Sequence, residues 1–145
     1  VIEVSRDHRI VWQYGNPANT RILNGAAFAS RLPNGDTLIT DSNNNRILEV
    51  TQQKFVVFAY VTTHRFGSMS MPLPTRAVRL RNGDTLVSDQ FNDQVIEINA
   101  RGEIVFAQGK IQVDGKGFNQ LNAPYDAKVI GDYTTLTPPT LTGNQ

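Results

Sequence analysis

The chain has no cysteine, which excludes a disulfide framework, a thiolate nucleophile, an iron–sulfur cluster, attached c-type haem and a cysteine-rich zinc site. Histidine is scarce as well, with only His8 and His64 available for metal or base chemistry. Charge of one sign is missing: 14 basic and 13 acidic residues leave a net charge of +1, spread without a basic block. A phosphate backbone finds nothing there to release its counterions, so no nucleic-acid partner is expected. No apolar run approaches the roughly 20 residues that cross a bilayer; the longest lies around Phe55 to Val61, and no membrane span is expected. Gly-x-Ser-x-Gly, His-Glu-x-x-His, Walker-type and Gly-x-Gly-x-x-Gly motifs are all absent. Gly115-Lys-Gly117 reads as a connector and not a phosphate loop, because no helix follows it. No metal, no cofactor and no enzymatic activity are expected. The chain starts at Val1 with no charged-then-apolar leader ahead of it. It reads as a processed product, and an extracellular or periplasmic location is expected.

What is present is a repeat. The 145 residues, 39% hydrophobic and 19% charged, are enough for one domain with a core. Arg31-Leu-Pro-Asn-Gly-Asp-Thr-Leu-Ile-Thr-Asp41 recurs as Arg79-Leu-Arg-Asn-Gly-Asp-Thr-Leu-Val-Ser-Asp89, and 89 minus 41 gives an offset of 48 residues. Arg46-Ile-Leu-Glu-Val50 is answered by Gln94-Val-Ile-Glu-Ile98, and Val1-Ile-Glu-Val4 matches Ile47-Leu-Glu-Val50 at an offset of 46. Pro124-Tyr-Asp-Ala-Lys-Val-Ile130 lines up with Pro74-Thr-Arg-Ala-Val-Arg-Leu80, so partial copies stand at both ends.

Within each copy the hydrophobic period is two, the mark of strands. Asn34-Gly35 and Asn82-Gly83 signal tight hairpins, read as type I′ turns, with Asp36 and Asp84 as hairpin residues. Further reversals follow at 41–45 and 89–93, then at 51–54 and 99–102. Four strands per copy result, near 26–32, 36–41, 46–50 and 54–60, and again near 76–80, 84–89, 94–98 and 103–108. No helix is expected. A period in the forties with four strands per unit is the arithmetic of a β-propeller blade, preferred over a β-sandwich, which has no reason to repeat at fixed offset. The expected fold is all-β: blades of four antiparallel strands, about three blades per chain. The expected organisation is a half blade at 1–15, blades at 26–60 and 76–108, a half blade at 124–137 and a tail at 138–145. The opening half supplies the last two strands of a blade, near 1–5 and 9–14; the closing half supplies the first two, near 126–130 and 132–137.

The run Leu32 to Val50, followed by an apolar strand such as Glu103 to Gly109, resembles the NHL-type repeat of six-bladed propellers. Gly115 to Pro124 looks like that family's Gly- and Phe-containing connector into a new blade. The resemblance implies a propeller and leaves activity open, since the family holds lyases, lactonase-like relatives and plain binding platforms. Three blades do not close a ring, and two complementary half blades expose unpaired edges. The expectation is therefore a non-enzymatic module that joins copies of itself into a closed homo-oligomer or a fibre. Its subunit interface is expected to include Val1, Ile2, Val4, Ile10, Val11, Val129 and Ile130. The alternative is a fragment of a six-bladed enzyme of the lyase or lactonase type.

A binding face is sought where the second strands end. Asp41 and Asp89 stand there, each before an Asn-rich reversal that it is expected to cap as an Asx turn. Asn43, Asn44, Phe91 and Asn92 belong to those reversals. His64 and Arg65 lie in the long connector 62–71, a kind of segment that often carries function. Together these residues make a candidate face for a peptide, a glycan or a small ligand. His8 is read as a surface turn residue, and Trp12, Phe58 and Phe106 as aromatics packed between blades.

Overall fold

The computed structural model describes residues 1–132. Ten antiparallel strands form three sheets: β1 (Ile2–Val4) with β2 (Ile10–Gln13); β3 (Ala26–Arg31), β4 (Thr37–Asp41), β5 (Arg46–Val50) and β6 (Val56–Val61); and β7 (Arg76–Arg79), β8 (Thr85–Asp89), β9 (Gln94–Ile98) and β10 (Ile104–Gln108). Each four-stranded sheet is an up-and-down meander in sequence order. The strands of both sheets start and end within two residues of the expected positions, and the fold is the all-β partial propeller that the repeat dictates. Where the sequence predicts no helix, the described residues hold three single 3₁₀ turns, Ser42–Asn44, Thr62–His64 and Gln90–Asn92.

Every residue of β4 and β8 is buried, polar ones included: β4 has a sheet against each face, whereas β8 has the first blade on one face and the segment at Ala127 on the other. One seam packs Trp12 against Ile39, Leu48 and Val50, with Val1 and Tyr14 beside it. The next joins Leu32, Leu38 and Ile47 to Ala77, Val87, Ile96 and Ile98, with Phe58 and Tyr60 packed on the cluster. Fully burying an aliphatic side chain is worth about 1.5–3 kcal/mol, so these seams bind the sheets to one another.

The hairpins differ from expectation in type. Gly35 and Gly83 have φ of +90° and +94°, but Asn34 and Asn82 are not in the positive-φ region that a type I′ turn requires of both central residues. The Gly35 and Gly83 N–H groups donate to the Leu32 and Leu80 carbonyls at 2.9 and 3.0 Å, closing type I turns with glycine in the left-handed place that follows. Asn34 and Asn82 side chains accept from the Asp36 and Asp84 N–H groups, which explains Asn-Gly-Asp without a type I′ turn.

The closing half blade also differs. Residues 126–130 form no strand among the described residues, and the expected strand 132–137 and tail 138–145 lie almost wholly outside them. A strand exists only through a ladder partner. The segment nonetheless runs beside β7: Thr75 Oγ1 donates to the Tyr125 carbonyl at 2.7 Å, Asp126 pairs with Arg76 at 3.2 Å, and Ala127 packs on Val78, Leu80 and Leu86.

Candidate functional site

The expected binding face splits into two strand-end clusters. Asp41 closes β4 and Asp89 closes β8, and both are fully buried. Neither caps its own reversal: no side-chain cap bond reaches the turn that follows, so the Asx reading is corrected. Both carboxylates instead tie distant loops to the blade, a use of a buried charge that needs paired donors.

In the first blade the donors are complete. Asp41 Oδ1 accepts from the Asn24 N–H at 2.7 Å, while Oδ2 accepts from Asn44 Nδ2 at 2.8 Å and Arg46 Nε at 2.7 Å. Asn44 also donates to the Thr20 carbonyl, and Arg46 to those of Arg21 and Ile22, so the incoming segment 20–24 is held by one polar knot. Asn43 lies outside the knot, exposed and packed over Gly25, where a Cβ would come within 2.4 Å of its amide nitrogen.

In the second blade two donors have changed. Gln94 stands where Arg46 stood and donates to the Gly109 carbonyl at 3.0 Å, and the guanidinium arrives from the connector instead, with Arg65 on Asp89 Oδ2 at 2.6 Å. Pro72 stands where Asn24 stood. Its carbonyl accepts from Phe91 at 2.9 Å as that of Asn24 accepts from Asn43 at 3.1 Å, but proline has no N–H to give. Asp89 Oδ1 consequently receives no hydrogen bond. Burial pushes this carboxyl up to about 6, against the opposing pull of Asn92 and Arg65. Asn92, fully buried, donates to Asp89 Oδ2 at 2.8 Å and accepts from the Met69 N–H at 3.1 Å. Burial likewise raises the Tyr60 phenol, with Arg65 lowering it and Asp89 raising it.

Of the expected face, Asp41, Asn44, Asp89 and Asn92 are thus bound into the fold. His64 is exposed and lines an outer cleft with Tyr60, Arg65, Arg101 and Gly102, and Phe91 is 41% exposed on its reversal. Among the described residues no three histidine, aspartate or glutamate side chains gather in a metal-binding group. A free nucleophile–base pair is not formed by these residues either: His64 has no hydrogen bond to a carboxylate or hydroxyl among them.

Sequence reasoning passed over one recurrent set. Glu3, Glu49 and Glu97 each stand opposite an aromatic on the next strand: Trp12, Phe58 and Phe106. An arginine of the following blade's first strand crosses to the first two glutamates, Arg31 to Glu3 and Arg79 to Glu49, the second at 2.6 Å. Arg31 also lies over the Trp12 ring, 4.9 Å from its centroid. The signal was legible in the aligned copies, where Glu, aromatic and Arg recur at the repeat offset. Phe106 breaks the pattern of burial: it is 49% exposed, against 7% for Trp12.

No family model matches the chain, and no curated protein matches it. Solved structures do. A virginiamycin B lyase from Staphylococcus aureus is 15% identical with a TM-score of 0.54, over 76% of this chain and 33% of that one. A streptogramin B lyase is 18% identical with a TM-score of 0.53, again over 76% of this chain and 33% of its own. A protein of unknown function from Bacteroides caccae is 24% identical with a TM-score of 0.51, over 74% of this chain and 38% of that one. The chain spans about a third of the length of these structures, and at such identities the likeness shows a propeller-like fold.

Proposed function

We propose that this chain is a non-enzymatic propeller segment of NHL-like repeats that works by assembly, copies of it joining through a shared blade into a closed ring or a fibre. The carrying observation is an edge. β5 and β9, the third strands of the two full blades, are paired on both sides, whereas their counterpart β1 pairs with β2 alone among the described residues. A free inner edge is a row of unsatisfied donors and acceptors that accepts further strands. The strands that fit are the first two of a blade, and 124–137 carries the sequence of that pair. The reading without catalysis is supported by Asp41, both of whose carboxylate oxygens are engaged in holding loops. The outer cleft at His64, Arg65 and Tyr60 is the surface this reading offers to a peptide, a glycan or a small ligand, in an extracellular or periplasmic setting.

Sedimentation velocity on the full chain tests the proposal. A species of two or more 16.1 kDa units is expected. A folded monomer at high protein concentration overturns it. So does a native polypeptide in which further blades on the same chain fill the β1 edge, the outcome that would favour a segment of a lyase-type propeller.

A further inference from the structure

We propose that Phe106 of one copy seats against Ile2 and Val4 of the next, making a third instance of a seam that the chain already builds twice. This rests on the assembly reading above and specifies which surfaces meet.

In each seam an aromatic of a fourth strand packs in a cluster that holds two aliphatics, i and i+2, of the following blade's third strand. Trp12 packs with Leu48 and Val50, and Phe58 packs on the cluster containing Ile96 and Ile98. Those four aliphatics are at most 2% exposed. The repeat places Phe106 third in the aromatic series, and Ile2 and Val4 third in the aliphatic series. Ile2 is 57% and Val4 50% exposed. One side of the chain thus holds an aromatic lacking its aliphatic pair, and the other side holds a pair lacking its aromatic. Such complementarity describes head-to-tail contact between copies.

The repeat also supplies its own control. Exposure on outer strands by itself says nothing, because Val56 and Val57, in a blade flanked on both sides, are 47% and 58% exposed. Ile10 and Val11, at 57% and 59%, and Ile104 and Val105, at 42% and 53%, match them. The exposure of Ile10 and Val11 is therefore a property of the rim. Ile2, Val4 and Phe106 do depart in exposure from their repeat partners.

Charge distinguishes the third seam from the first two. Glu97 accepts from Asn82 Nδ2 at 3.1 Å, as Glu49 does from Asn34 at 3.3 Å. The arginine position of the aligned next strand is taken by Val129, which lines a cleft with Leu80, Asn82 and Glu97 and with the charged Arg81 and Asp132. The contact proposed between copies, Phe106 on Ile2 and Val4, is itself apolar, and its strength should persist in high salt.

Sedimentation velocity on the full chain, Val4→Asp, Phe106→Lys and the double variant tests this, with circular dichroism confirming the fold. Both positions are half exposed, so the substitutions leave the blades intact. Each single variant is expected to weaken association by about 100-fold or more, as loss of a central interface residue does. The double variant is expected to regain about 10-fold, because the introduced carboxylate of one copy then faces the introduced ammonium of the next. If wild type assembles and the single variants assemble equally well, or the double variant regains nothing, this seam is wrong while the assembly reading stands. If wild type is a folded monomer, both fall.

Discussion

The two strand-end aspartates show how one backbone atom changes a side chain's chemistry. Asp41 and Asp89 occupy the same repeat position, accept from the same asparagine three residues on, and are equally buried. They differ in the N–H that Asn24 gives and Pro72 cannot give. Asp89 keeps its proton more readily in the fold than the ordinary 3.8 of an exposed carboxyl, so the folded state binds that proton more tightly than the unfolded state does. The stability this group contributes is therefore present below 3.8 and lost as pH rises through about 6. Pro72→Ala restores a donor, and the Asp89 midpoint, followed by its carboxyl carbon resonance, is expected to fall by about one unit or more. An unchanged midpoint would show that the missing N–H is not what leaves the carboxyl unsatisfied.

Hairpins carry the same logic from residue to element. A Cβ at Gly35 or Gly83 would meet nothing within 4 Å, yet both residues sit at φ near +90°. Any cost of substitution there is a backbone cost. Gly83→Val should destabilise by about 1–3 kcal/mol in urea unfolding, and Gly83→Asn by clearly less, because asparagine tolerates positive φ and a β-branched residue does not. Equal costs for the two would point to a lost contact and contradict the open space. Gly109 behaves differently: its added Cβ would lie 2.2 Å from the Asp93 carbonyl oxygen, so Gly109→Ala meets a clash as well as strain at φ +94°.

At the scale of the whole molecule the sheets are joined by seams that combine apolar packing with one crossing ion pair. Arg79 reaches Glu49 with side chains 21% and 9% exposed, whereas Glu3, the partner of Arg31, is 46% exposed. Removing a partner from a shielded carboxylate leaves it desolvated and uncompensated, while an exposed one is rehydrated. Arg79→Ala is therefore expected to cost about 1–3 kcal/mol and Arg31→Ala less than about 1 kcal/mol, measured as shifts of the urea midpoint at constant slope. The reverse order would mean that the cation over Trp12, and not the ion pair, dominates the first seam.

The sequence by itself determined the opening pair of strands, the strands of the two full blades and their meander order, because alternating burial and turn residues are local properties and the copies repeated them at fixed offset; the closing strand it also offered at 126–130 did not form. It also placed Asp41, Asp89 and their asparagines at the ends of second strands, the position they occupy. Which donors meet those carboxylates was decided only in three dimensions. Arg46 comes from the neighbouring strand and Arg65 from a connector 24 residues away, so two aligned aspartates acquired unlike partners. The type of the hairpin turn was likewise settled by whether asparagine or only glycine takes positive φ, which the dipeptide alone leaves open. Most of all, burial between blades depends on whether a neighbouring sheet is there: Val50 and Val4 hold the same repeat position, and one is 0% and the other 50% exposed.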